Sequence, residues 1–110
     1  AHGRLVRPTL GVELVQDQLV QRWGLQGALV GSVVRGSGAA EAGLRPTTQD
    51  RYGRVRLGDL IVALEGDAVV SSSDVFLALE RRRAGEVVTV TVERDGERVD
   101  LEVELGEAVR

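Results

Sequence analysis

The C-terminal third of the chain restricts the fold more than any other stretch. Val88, Val90 and Val92 alternate with Thr89, Thr91 and Glu93; Asp95-Gly96 supplies a tight turn; Val99, Leu101, Val103 and Leu105 then alternate with Asp100, Glu102 and Glu104. A period of two through both arms predicts an antiparallel hairpin with one apolar face, and that face needs a core to cover it. The chain has 110 residues, 43% of them hydrophobic and 28% charged, which bounds it to one globular domain around a single core. No internal repeat or low-complexity tract interrupts it.

Upstream, residues 1–8 read as a linker, with Arg4 and Arg7 alternating with Leu5 and Val6, and Pro8 biasing Arg7 to an extended conformation. The run Arg7-Pro8-Thr9-Leu10-Gly11-Val12-Glu13-Leu14 reads as a loop of successive backbone N–H groups leading into an edge strand. Leu10, Val12 and Leu14 fall on one face of it, and Gly11, Glu13 and Val15 on the other. Asp17 is expected to cap a short helix through Trp23, ended by Gly24. A strand follows over residues 27–34, then the turn Arg35-Gly36-Ser37-Gly38 and a short helix over 39–42 closed by a left-handed Gly43. Residues 45–58 are polar and turn-rich, carry four arginines, and predict an exposed hairpin or loop with its tip at Tyr52-Gly53. A buried strand over 59–64, a turn and a brief return strand over 68–70 lead to a helix from the Ser71–Asp74 caps to about Arg83. Val75, Phe76, Ala78 and Leu79 are its apolar residues, and Glu80, Arg81, Arg82 and Arg83 lie on its wet side.

Most kinds of chemistry find no support. The single histidine, His2, stands in a terminal segment, and the chain has no cysteine, so neither a Ser/His/Asp arrangement nor a thiolate or imidazole metal site is expected. Ser71-Ser72-Ser73 lacks a base and reads as helix capping, while Glu102, Glu104 and Glu107 read as solvated carboxylates. No catalytic residue, metal ligand or cofactor site is therefore expected. A formal net charge of −3 lacks the basic bias of nucleic-acid binding, and no apolar run approaches the roughly 20 residues of a membrane span. With no methionine and an Ala1-His2-Gly3 start, the sequence reads as excised from a longer protein. What remains is main-chain chemistry: a nest of N–H groups that holds a C-terminal carboxylate, with Arg7 reinforcing the anion site, and an edge strand that takes on the residues before it.

The order of these pieces is a resemblance. Residues 7–12, then Gly27-Ala28-Leu29-Val30 with Val33, then residues 36–44, then Gly58 to Leu64 with Gly66, then residues 71–79, and finally residues 85–90 with Arg94-Asp95-Gly96, together resemble the PDZ domain of the HtrA/Deg (DegP-like) trypsin-type serine proteases. The resemblance implies an α+β fold, a small antiparallel β-sandwich or barrel capped by two helices in the permuted strand order of the protease-type members. It implies a domain over 9–106, a linker over 1–8 from a missing upstream protease domain, and a tail over 107–110. Most members run directly from Gly-Leu to Gly-Asp, so residues 46–57 read as an insertion, as in some longer, chloroplast-like members. Gly38 stands where proline is usual and is expected to loosen that turn.

Residue by residue, the resemblance assigns Thr9, Leu10, Gly11 and Val12 to the carboxylate-binding loop, and Glu13, Leu14 and Val15 to the strand a peptide joins. Ser72, Phe76 and Leu79 face it from the helix. Leu10, Val12, Leu14 and Leu79 are expected to line the pocket for the last side chain, and Val75 to face the core. The implied partners are C-terminal peptides of unfolded or specific proteins and the upstream protease domain, in a homo-oligomeric parent of the bacterial periplasm or cell envelope, or of the chloroplast. Arg51, Tyr52, Arg54 and Arg56 are expected to contact the protease domain or a neighbouring subunit, the alternative being a solvated hairpin. A different class of parent, a non-protease scaffold or secretion protein or a membrane-embedded metalloprotease, carries the same kind of module.

Overall fold

The period-two stretches become strands and the 3.6-period stretches become short helices. The computed structural model describes residues 6–109, with side chains from Arg7 to Glu107. In chain order the elements are β1 (Val6–Thr9), β2 (Val12–Leu14), α1 (Asp17–Arg22), β3 (Ala28–Val33), α2 (Gly38–Ala42), β4 (Thr48–Gln49), β5 (Val55–Arg56), β6 (Leu60–Leu64), β7 (Asp67–Ala68), α3 (Ser72–Glu80), β8 (Val87–Arg94), β9 (Glu97–Glu104) and β10 (Gly106–Val109). The main antiparallel sheet runs β2-β3-β6-β8-β9, with β7 paired to β6, and β2 forms one of its edges. β1 pairs with β10, and β4 with β5.

The expected β8–β9 hairpin forms, with Val88 opposite Val103 and Val92 opposite Val99, and turns at Asp95-Gly96 with positive φ at both residues. Its apolar face joins Leu10, Val30, Ile61, Leu64, Val75 and Leu79 in the main core. A smaller cluster of Val20, Leu29 and Leu60, flanked by Val15, Leu25 and Val62, lies where α1 packs on β3. β3 feeds both clusters because its successive side chains point to opposite faces.

Several expectations are corrected. Arg7 and Pro8 lie in β1 and Glu107 in β10, with Pro8 opposite Glu107. Residues 1–5, His2 among them, lie outside the described residues. Asp17 does not cap α1; Gln16 occupies that position with no side-chain cap, and Asp17 serves α3 instead. α3 ends at Glu80, with Arg81 at its C-cap, so Arg82 and Arg83 lie beyond it. Gly38 tightens its turn: a Cβ there would collide with the Glu104 carbonyl, so α2 seats directly on the β9 backbone.

Candidate functional site

The loop between β1 and β2 is built from inside. Gly11 has φ +90° and leaves no room for a Cβ against Ser37, so two requirements select glycine. Behind it, the Leu10 carbonyl accepts from Ala39 N–H at 3.0 Å and the Gly11 carbonyl from Val34 N–H at 2.8 Å. A trans peptide points its N–H opposite to its carbonyl, so the N–H groups of Gly11 and Val12 face outward. The Gly11 N–H is met by the Thr9 hydroxyl oxygen at 3.1 Å, and among the described residues the Leu10 N–H meets no acceptor.

β2 continues the same alternation. Val15 N–H donates to Leu29 O at 2.9 Å, toward β3, which leaves Val12 N–H and Leu14 C=O on the unpaired edge. Glu13 lies exposed and accepts from Ser32 Oγ at 2.8 Å. Opposite this edge stands α3, with Val75 and Leu79 buried and Phe76 58% exposed. A hollow of about 350 Å³ at its C-terminal end is lined by Arg7, Pro8, Phe76, Leu79, Glu80 and Arg82.

Leu10 is 1% exposed and belongs to the core; Val12 and Leu14 are half-buried; Pro8 and Phe76 line the hollow beside Leu79. A second cleft, of about 570 Å³, opens on the α2 side of Gly11, but Glu41, Glu104 and Glu107 stand in its wall against Arg35, a poor setting for an anion. The upstream end of the groove holds a contact the sequence did not disclose, between the Asp17 carboxylate and Ser72 on α3. The role of Thr9 did have a local signal: a threonine two residues before a glycine is a standard side-chain-to-backbone turn.

Residues 46–57 form a hairpin. Asp50 shapes its tip by accepting Tyr52 N–H (2.8 Å), Arg54 N–H (2.9 Å) and Arg54 Nε (3.0 Å). The Arg54 N–H above all, then the Tyr52 N–H and the Arg54 side chain, lowers its carboxyl below the usual 3.8. Tyr52 is 73% exposed, with the guanidinium carbons of Arg54 and Arg51 at 5.4 and 6.0 Å from its ring centre, and Arg56 is exposed beside them. The foot of the hairpin belongs to the core: Thr47 donates both N–H (3.0 Å) and hydroxyl (2.8 Å) to Val30 O, and Gly58 N–H donates to Thr47 Oγ1 (3.0 Å). Asp59, 1% exposed, accepts from Arg45 N–H and from two nitrogens of Arg94, at 2.9 and 2.7 Å. The Asp59 hydrogen bonds raise the Arg94 pKa above its ordinary value. Among the described residues no group of His, Cys, Asp and Glu is placed to hold a metal ion.

The site is thus an edge strand headed by outward N–H groups, with a helix opposite it. The PDZ domain model matches residues 8–105, and the chain belongs to the PDZ domain family. It is 37% identical over 103 residues to the chloroplastic protease Do-like 1 of Arabidopsis thaliana, covering 94% of this chain and 24% of that protein. It is 33% identical over 110 residues to a DegP-like periplasmic serine endoprotease of Hahella chejuensis, covering 96% of this chain and 21% of that protein. The HtrA-type protease AlgW, solved with a decapeptide, superposes with a TM-score of 0.74 at 28% identity, covering 97% of this chain and 31% of that one. The module is thus similar to the PDZ domains of HtrA/Deg proteases, and the chain spans about a quarter of the length of the curated relatives it matches.

Proposed function

We propose that this domain captures the free C-terminus of a peptide by strand addition and serves as the substrate-binding or regulatory module of an HtrA/Deg-type serine endopeptidase. The observation that carries this reading is the unpaired edge of β2, with Val12 N–H and Leu14 C=O directed outward and the Leu10–Val12 amides at its head. The terminal carboxylate takes the Leu10 and Val12 N–H groups and displaces the Thr9 hydroxyl from Gly11; the last side chain enters the hollow of Pro8, Phe76 and Leu79, with Arg7 at its rim. The kinship with AlgW, whose structure holds a decapeptide, supports the ligand class. The periplasmic and chloroplastic protease relatives support a cell-envelope or organellar location and a parent that joins this module to a protease domain. In that parent, Arg51, Tyr52, Arg54 and Arg56 form a contact surface toward the protease domain or a neighbouring subunit.

The test is a titration of the 110-residue chain with an apolar-ended peptide as free acid and as amide. Binding of the acid at modest affinity, at least about tenfold tighter than the amide, is expected, since a lost charge-assisted hydrogen bond costs that much or more. Equal binding of the two forms would reject the carboxylate loop.

A further inference from the structure

Three arginines from separate stretches of the chain meet at the base of the β4–β5 hairpin. Arg45 follows α2, Arg56 ends β5 and Arg94 ends β8, and they line one hollow of about 380 Å³ whose wall also includes Asp59 and Asp95. Arg94 is the fixed member. Its Nε and Nη2 hold Asp59 at 2.9 and 2.7 Å, Nη2 also donates to Gly43 O at 3.0 Å, and its side chain is 19% exposed. In a chain of net charge −3, this convergence is a local feature and no general basic surface.

Hydrogen-bond inventory decides what the hollow accepts. A guanidinium carries five N–H donors; Arg94 gives three to Asp59 and Gly43, and among the described residues its Nη1 meets no acceptor. The Arg45 side chain stands 3.8 Å from Asp95, beyond hydrogen-bond distance, and Arg56 is exposed with no acceptor on its side chain among the described residues. The acids are already engaged or solvated: Asp59 Oδ1 takes Arg94 Nε, Asp59 Oδ2 takes Arg94 Nη2 and the Arg45 N–H, and the Asp95 side chain is 90% exposed. With Asp59 and Arg94 cancelling, two guanidiniums face one solvated carboxylate. A planar carboxylate suits a single fork, whereas donors arriving from three directions suit a centre with oxygens on every side. We propose that this hollow is an anion site for a tetrahedral oxyanion of the phosphate class, held by Arg94 Nη1 and by the forks of Arg45 and Arg56. An occupant ties β5 to Arg45 and to the end of β8, and so fixes the bearing of the hairpin that carries Tyr52. The site is separate from strand addition at β2 and does not depend on it.

It is tested by titrating inorganic phosphate into the 110-residue chain, with sodium chloride at equal ionic strength as the reference, and following NMR signals residue by residue. Saturable shifts are expected at the side-chain Nε–H signals of Arg45, Arg56 and Arg94 and at the Leu57 and Gly58 amides, with half-saturation on the order of 1 mM. Arg45→Gln and Arg56→Gln should each weaken binding at least about tenfold, the scale of one charge-assisted hydrogen bond. Both spare the fold, since only the main chain of Arg45 joins the Asp59 contacts. Arg51→Gln, at the hairpin tip, should change binding by less than about twofold. Glycerol 3-phosphate in a parallel titration separates two sources of the same chemistry: tighter binding than phosphate assigns a phosphate ester, and equal or weaker binding assigns the free ion. Shifts that never saturate, shifts centred on residues 10–12, or equal weakening by Arg51→Gln and Arg56→Gln overturn the site. Succinate binding as tightly as phosphate overturns its selectivity for a tetrahedral anion.

Discussion

The β8–β9 hairpin buries Val88, Val90, Val92 and Val103 completely, whereas the β4–β5 hairpin leaves every residue from 48 to 57 exposed. Both turn tightly and both pair antiparallel, yet one is held by its face and the other by its foot. In β8–β9 the side chains are the attachment, so stability is spread along both arms. In β4–β5 the attachment is a short polar belt, Thr47 on Val30, Gly58 on Thr47 and Asp59 with Arg94 beneath, and above it Asp50 shapes the tip together with Gln49, whose Nε2 donates to Gly53 O. A loop that looks dispensable by composition can therefore have an indispensable base.

The belt should give the largest effect. Arg94→Met leaves the Asp59 carboxylate buried without its ion partner, and a loss of about 3–5 kcal/mol is expected, read as a fall of roughly 15 °C or more in thermal midpoint. A fall of only a few degrees would mean that the Arg45 N–H suffices and that the belt is not the anchor. Next comes one substitution made in each hairpin. Val90→Ala should cost about 2–3 kcal/mol in chemical denaturation, and Val55→Ala should stay within about 0.5 kcal/mol. Similar values would erase the contrast between face and foot. Replacing residues 48–56 with a short Gly-Ser link, sparing Thr47 and Gly58, should shift the midpoint by no more than a few degrees and leave peptide affinity unchanged, because closure cost grows slowly with loop length. The same replacement in the full-length protein should alter assembly or activity if the arginines and Tyr52 meet a partner. The smallest effect is local. The depressed Asp50 carboxyl supports the hairpin tip above its ordinary value of 3.8 and loses that support as pH falls through its lower folded value. Acidification toward that range should unlock the Tyr52 and Arg54 amides while the β8–β9 amides stay protected, as amide chemical shifts would register.

Legibility followed range. The β8–β9 hairpin could be read because alternation and an Asp-Gly turn are both local. The β1–β2 loop and the edge strand after it could be read because Gly11 and the Leu10-Val12-Leu14 alternation are local too, and the order of motifs supplied the family. The β1–β10 pair could not be read: Arg7-Pro8 and Gly106-Glu107 have no apolar alternation, and their register depends on partners a whole domain apart. The Asp17–Ser72 contact spans 55 residues, and nothing near Asp17 distinguishes a residue that caps its own helix from one that reaches another. The constraint on Gly38 was hidden for the same reason, since its obstacle is the backbone of Glu104.

The pairing of β1 with β10 also governs how the domain responds to mechanical load. Val6 stands opposite Val109 and Thr9 opposite Gly106, so the two chain directions leave the ribbon at the same corner. Tension applied between them acts across the rungs rather than along the strands, and the ribbon opens like a zipper, one pair at a time, instead of resisting as a sheared block. Peeling would reach Thr9 before it reached the main sheet, so a pull on the ends would disturb the Gly11 amide clasp while the valine face of β8 and β9 was still closed.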